Sequence, residues 1–141
     1  MKIIYESNNN LVLRFDKGEN YLDEFKKFLE EEKITSAFFY GLGGFLEAEI
    51  AFYNLDENKY INKRMDGPFE VASLIGNVAE NKNGIIIHNH VVLGDNNYRA
   101  FAGHLVDAVV GGTLEIYITK LEESGKLKRE LDKGTGLNLL Q

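Results

Sequence analysis

Only one stretch of this chain, residues 21–32, repeats its apolar side chains at helical spacing; the other apolar runs alternate or are short, as strands are. That imbalance constrains the fold more than any other feature. Leu11, Leu13 and Phe15 share one face of a strand, which leaves Arg14 projecting from the other. In the helix, Tyr21, Leu22, Phe25, Phe28 and Leu29 form the apolar stripe. Asn20 is placed to cap it, and Asp23 and Glu24 precede Lys26 and Lys27 in the order a helix dipole favours. Further strands are expected over residues 2–5, 34–40, 45–55, 60–65, 69–79 and 104–121, over the run IIIHNHVVLGD that starts at Ile85, and once more near the C-terminus. The fold class is therefore α+β: a compact, mixed or mostly antiparallel sheet with one main helix, in a single domain over residues 1–141. The apolar strands outnumber the helices available to cover them, so part of the sheet is expected to be buried in a partner subunit.

Composition narrows the chemistry. With no cysteine, disulfides, thiolate nucleophiles and thiolate metal sites are excluded. A net charge of -6 opposes a broad phosphate-binding surface. The basic runs at residues 62–65 and 126–129 read as solvated strand or turn faces. The N-terminus lacks a signal-peptide pattern and no apolar run is long enough to span a bilayer, so a soluble, cytoplasmic protein is expected.

Glycine-rich GLGG at residues 41–44 follows a strand but lacks the lysine of a phosphate loop and the spacing of a dinucleotide fingerprint. It reads as a bend or bulge between two strands, and Gly111-Gly112 reads the same way. DGP at residues 66–68 and the polar residues 122–126 read as turns.

The chemistry concentrates on the chain's three histidines. His88 and His90 project from the same face of one strand, and His104 opens the strand after the next loop. Three imidazoles plus water is a common catalytic zinc arrangement. The plain alternative stands beside it: polar side chains satisfied at a strand end or a subunit contact. Asn89 points to the opposite face and is a poor partner for a metal ligand. Glu70 and Glu115 are the carboxylates best placed by alternation to support the histidines, with Glu49, Asp95 and Asp107 behind them. Arg14 could pair with one of these or steer an acid group toward a zinc-bound water.

Taken in order, these pieces resemble the plant- and prokaryote-conserved (PPC, or DUF296) domain family, whose bacterial and archaeal members carry a DNA-binding label. The resemblance is carried by Arg14 with Gly18 and Glu19, GLGG at 41–44, GPFEVASL at 67–74, HNH at 88–90 with Leu93 and Gly94, AGHL at 102–105, and Thr113 with Glu115. It implies a homotrimer, a metal site on His88, His90 and His104 that holds zinc, and a fold related to acetolactate decarboxylase. Two departures stand out: Ala102 replaces a frequent glycine, and Pro68 stands where plant members have arginine. The basic AT-hook tails through which plant members bind DNA are absent from this sequence. The expectation is a trimeric metal-binding module with a regulatory role, DNA binding being carried by the family label alone. Its alternative is a zinc-dependent enzyme acting on a small anionic molecule.

Overall fold

Alternating apolar residues pair strands, and here they do so over unusually long distances. The computed structural model describes residues 1–121 and 125–141. It begins with a hairpin of β1 (Lys2–Glu6) and β2 (Asn10–Asp16), followed by α1 (Tyr21–Glu31). Four longer strands follow: β3 (Ala37–Asn54), β4 (Lys59–Asn81), β5 (Gly84–Gly94) and β6 (Ala100–Lys120). A small hairpin of β7 (Arg129–Leu131) and β8 (Asn138–Leu140) completes the chain. The main sheet has the order β1-β2-β6-β3-β4-β5, every ladder antiparallel, and β5 also pairs with β6 so that the sheet curls back on itself. A parallel bridge between Glu80 and Lys128 ties the C-terminal hairpin to the end of β4.

The helix forms where its stripe predicts. Asn20 Oδ1 accepts from the Asp23 amide at 3.0 Å, while its Nδ2 donates to Asp107 on β6 at 2.9 Å, so one residue both caps the helix and docks it. Tyr21, Phe25, Phe28 and Leu29 are buried against the sheet. Phe25 meets Phe39 of β3 edge-on at 5.1 Å and stacks on Tyr21 at 5.7 Å. Burial of each such side chain contributes about 1.5–3 kcal/mol, which is why this single helix holds its place on the sheet. Among the described residues, no helix is long and apolar enough to cross a membrane.

Three sequence expectations need correction. The glycines at 41–44 form the irregularity expected of them, with register shifts in both ladders, but they do not separate two strands: β3 runs through them. Gly43 has φ +150°, and a Cβ there would lie 2.2 Å from the Thr113 carbonyl oxygen, so only glycine lets β3 and β6 approach. Gly111 and Gly112 lie in the matching irregularity of β6. Residues 66–68 are not a turn either. Gly67 and Pro68, joined by a cis peptide, lie opposite the single residue Leu46, and β4 continues past them. Proline has no N–H to give a ladder, and a bulge is where a strand can hold one. Finally, the C-terminus contributes two strands instead of one. The turn expected at 122–126 falls partly on residues 122–124, which lie outside the described residues.

Candidate metal centre

The β5–β6 ladder sets His90 directly opposite His104, and the β4–β5 ladder sets His88 opposite Asn77. Directly paired residues project to the same side, so all three imidazoles leave the sheet together. Their ring centroids lie 5.2 Å (His88–His90), 5.3 Å (His88–His104) and 5.6 Å (His90–His104) apart. One nitrogen from each lies within 4.8 Å of the others, close enough to converge on one ion.

The face between the histidines is what fixes them. Asn89, only 1% exposed, points into the core, where its Nδ2 donates to the Leu105 carbonyl at 3.0 Å and its Oδ1 accepts from the Tyr21 hydroxyl at 3.1 Å. Strand β4 comes unusually close here: a Cβ at Gly76 would lie 2.5 Å from the His88 carbonyl oxygen and 2.8 Å from Asn89 Cβ.

Electrostatics favour the neutral forms of His88 and His104. Burial, then the nearby Arg129 charge, and then the other two histidines bring the His88 pKa down to about 4. Burial and His90 lower that of His104. Neutral imidazoles offer lone pairs, as metal ligation requires. His104 Nδ1 is buried without a hydrogen-bond partner, so its polar demand would be met by a metal ion. The donor set therefore fits a divalent ion.

Arg129 is the residue that sequence reasoning missed. It lies in a basic run read as solvated, yet it is 8% exposed. Its NH1 group donates to the Asn138 carbonyl at 2.7 Å, and NH2 donates to Asn77 Oδ1 at 2.9 Å and lies 3.1 Å from His88 Nδ1. A guanidinium only donates, so His88 Nδ1 is the acceptor and the other ring nitrogen carries the proton. Coordination through His88 therefore displaces the Arg129 contact, directly at Nδ1 or, at Nε2, by moving the ring proton onto Nδ1, which can then no longer accept. Tyr60 covers the opposite flank, its ring 5.2 Å from that of His104. A cleft of about 380 Å³ opens between these groups, walled by Tyr60, His88, His104, Arg129 and Asn138. No local signal marks Arg129, because the β7–β8 hairpin that buries it folds back from far along the chain.

The other expected site residues lie elsewhere. Arg14 pairs with Glu115 across β2 and β6, its Nε donating to Asp16 at 3.1 Å. Glu115 instead accepts from the Tyr117 hydroxyl at 3.4 Å. Glu70 is exposed on β4, at a hollow of about 410 Å³ beside Gly43, Gly112 and Thr113. None of the three is hydrogen-bonded or ion-paired to a histidine. Alternation put them on strands correctly, but strand position says nothing about which end of a long strand meets the site.

Fold and site together define an α+β domain of curled antiparallel sheet with a three-histidine cluster able to chelate a metal. The Plants and Prokaryotes Conserved (PCC) domain matches residues 4–122, and the chain belongs to that family. Among solved structures, it is similar to a metal-containing protein from Archaeoglobus fulgidus, with 31% identity, a TM-score of 0.88, and 100% of this chain and 99% of that one covered. It is likewise similar to a plant- and prokaryote-conserved protein from Pyrococcus horikoshii, with 30% identity, a TM-score of 0.88, and 95% and 92% covered. Acetolactate decarboxylase from Bacillus subtilis shares the fold alone, at 16% identity and a TM-score of 0.57 over 79% of this chain and 52% of that one. No curated protein sequence matches the chain.

Proposed function

We propose that this chain is a single-domain, homotrimeric metal-binding module of the cytoplasm that holds zinc on His88, His90 and His104 and serves a regulatory role. The observation that carries the reading is the convergence of three imidazole nitrogens within 4.8 Å, projected from two paired strands. The metal content of the similar Archaeoglobus protein supports it. With three protein ligands, zinc so held would supply a Lewis-acidic centre with a coordination position left for water or a small ligand.

The trimer is supported by the outer face of the sheet. Phe38, Tyr40, Leu42 and Ile75 are each about half exposed there, and clustered exposed apolar side chains of this kind mark interaction surfaces. Light scattering together with metal analysis tests both halves. A monomer at micromolar concentration would remove the trimer, and protein that takes up no metal would remove the site.

A second reading is a zinc-dependent enzyme acting on a small anionic molecule. It is favoured by the cleft that His88 and His104 share with Arg129. Replacing His104 with alanine should then abolish turnover and leave the assembly intact. DNA binding, the third reading, rests on the family label and runs against a net charge of -6. It requires an affinity that falls steeply with salt.

A further inference from the structure

Arg129 is a buried cation with no anion to answer it. Its partners Asn138, Asn77 and His88 are neutral groups, its Nε–H is buried without an acceptor, and among the described residues it makes no ion pair with a carboxylate. A guanidinium removed from water is stable only when its charge and its donors are matched, and here both fall short. Arg14 is the contrast, since Asp16 answers its charge.

Arg129 lines two clefts: one contains Glu80 and Glu130, and the one it shares with His88 and His104 has the same bias as Arg129 itself. Lys59 adds a second cation, Tyr60 adds a phenol, and the wall contains neither aspartate nor glutamate. That is a pronounced local deficit in a chain with 22 acidic and 16 basic side chains. At about 380 Å³, the cleft is near the lower limit of small-molecule sites.

We infer that this cleft is an anion subsite beside the histidine cluster, and that Arg129 receives the carboxylate of a small organic acid there. The planar guanidinium matches a planar carboxylate. The inference rests on the metal reading for where the rest of the acid lies: coordination by His88 that displaces Arg129 from Nδ1 leaves the guanidinium one more donor to offer. The charge deficit at Arg129 stands without it.

The test is an acetate titration of the full chain, both stripped with a chelator and loaded with cobalt(II). The Arg129 Nε–H resonance is followed by NMR and the affinity by calorimetry, with inorganic phosphate as the competing probe and R129Q and R14Q as variants. Acetate should shift the Arg129 Nε–H signal, and R129Q should weaken acetate binding by about tenfold or more while R14Q leaves it unchanged. An unshifted Nε–H at saturating acetate overturns the proposal. So does an equal loss in R14Q, or binding of phosphate in place of acetate. If R129Q fails to fold, the wild-type resonance decides alone. Cobalt uptake without acetate at Arg129 removes the subsite and leaves the metal reading. Acetate at Arg129 without cobalt uptake does the reverse.

Discussion

Asn89 donates through Nδ2 to the carbonyl oxygen of Leu105 at 3.0 Å, fastening the strand that carries His88 and His90 to the strand that carries His104. The same side chain accepts from Tyr21 on the helix. The His-Asn-His run therefore serves two faces at once: two imidazoles outward and one amide inward that holds the strands beneath them.

Replacing Asn89 with leucine should cost about 2–4 kcal/mol, because it strands the buried Tyr21 hydroxyl and the Leu105 carbonyl together. Tyr21→Phe removes one of those bonds and should cost less, about 1–2 kcal/mol. Urea unfolding measures both. An Asn89→Leu protein as stable as wild type would show that the amide is not what ties the helix to the two strands.

His104→Ala should weaken metal binding by more than about a hundredfold, since loss of an outer-sphere partner alone costs about 10–100-fold. Folding stability should change by no more than about 1 kcal/mol, because His104 Nδ1 has no hydrogen bond to lose. Cobalt(II) absorbance read beside urea unfolding separates the two effects. Unchanged cobalt affinity would rule out His104 as a ligand.

The metal-free protein should lose stability as pH falls from about 6.5 toward about 4. Burial and the Arg129 charge bring His88 from 6.5 to about 4, and His104 is lowered as well. In this window the unfolded chain binds protons that the folded chain refuses, so stability rises with pH and the histidine contribution is complete above 6.5. His88→Gln should flatten the upper part of the slope, where carboxylates titrate little. Urea midpoints in the presence of a chelator give the measurement, and an identical slope in the variant would be the contrary result.

The outer face yields a prediction about assembly. Tyr117 and Tyr40 stack with centroids 5.0 Å apart and planes at 9°, and the ladder continues through Ile75 to His90 and His104. A carboxylate placed in that row costs little in a monomer but a great deal when buried between subunits. Tyr40→Glu and Ile75→Glu should therefore lower the mass seen by light scattering to about one third while circular dichroism is unchanged. Wild-type mass retained by both variants would place any subunit contact on another surface.

Much of this was legible in the chain because it is local. The spacing of Tyr21, Phe25, Phe28 and Leu29 specifies a helix, and Asn20 specifies its start, through interactions within a few residues. His88 and His90 share a face and Asn89 takes the other because a strand has period two, whatever it pairs with. Gly43 was recognisable as an irregularity for a similarly local reason: few other residues accept its backbone conformation.

Other features came only with the tertiary structure. That β4 runs through Gly67 and Pro68 depends on Leu46 of β3 lying opposite both, and that His104 meets His90 depends on the register of β5 against β6. Arg14, Glu70 and Glu115 were assigned to strands correctly, yet long-range pairing carried them away from the histidines and brought Arg129 in. Periodicity states which way a side chain points, and it is set by the backbone within a few residues. Register, burial and the company a charge keeps are set by partners far along the chain, so only the folded sheet could decide them.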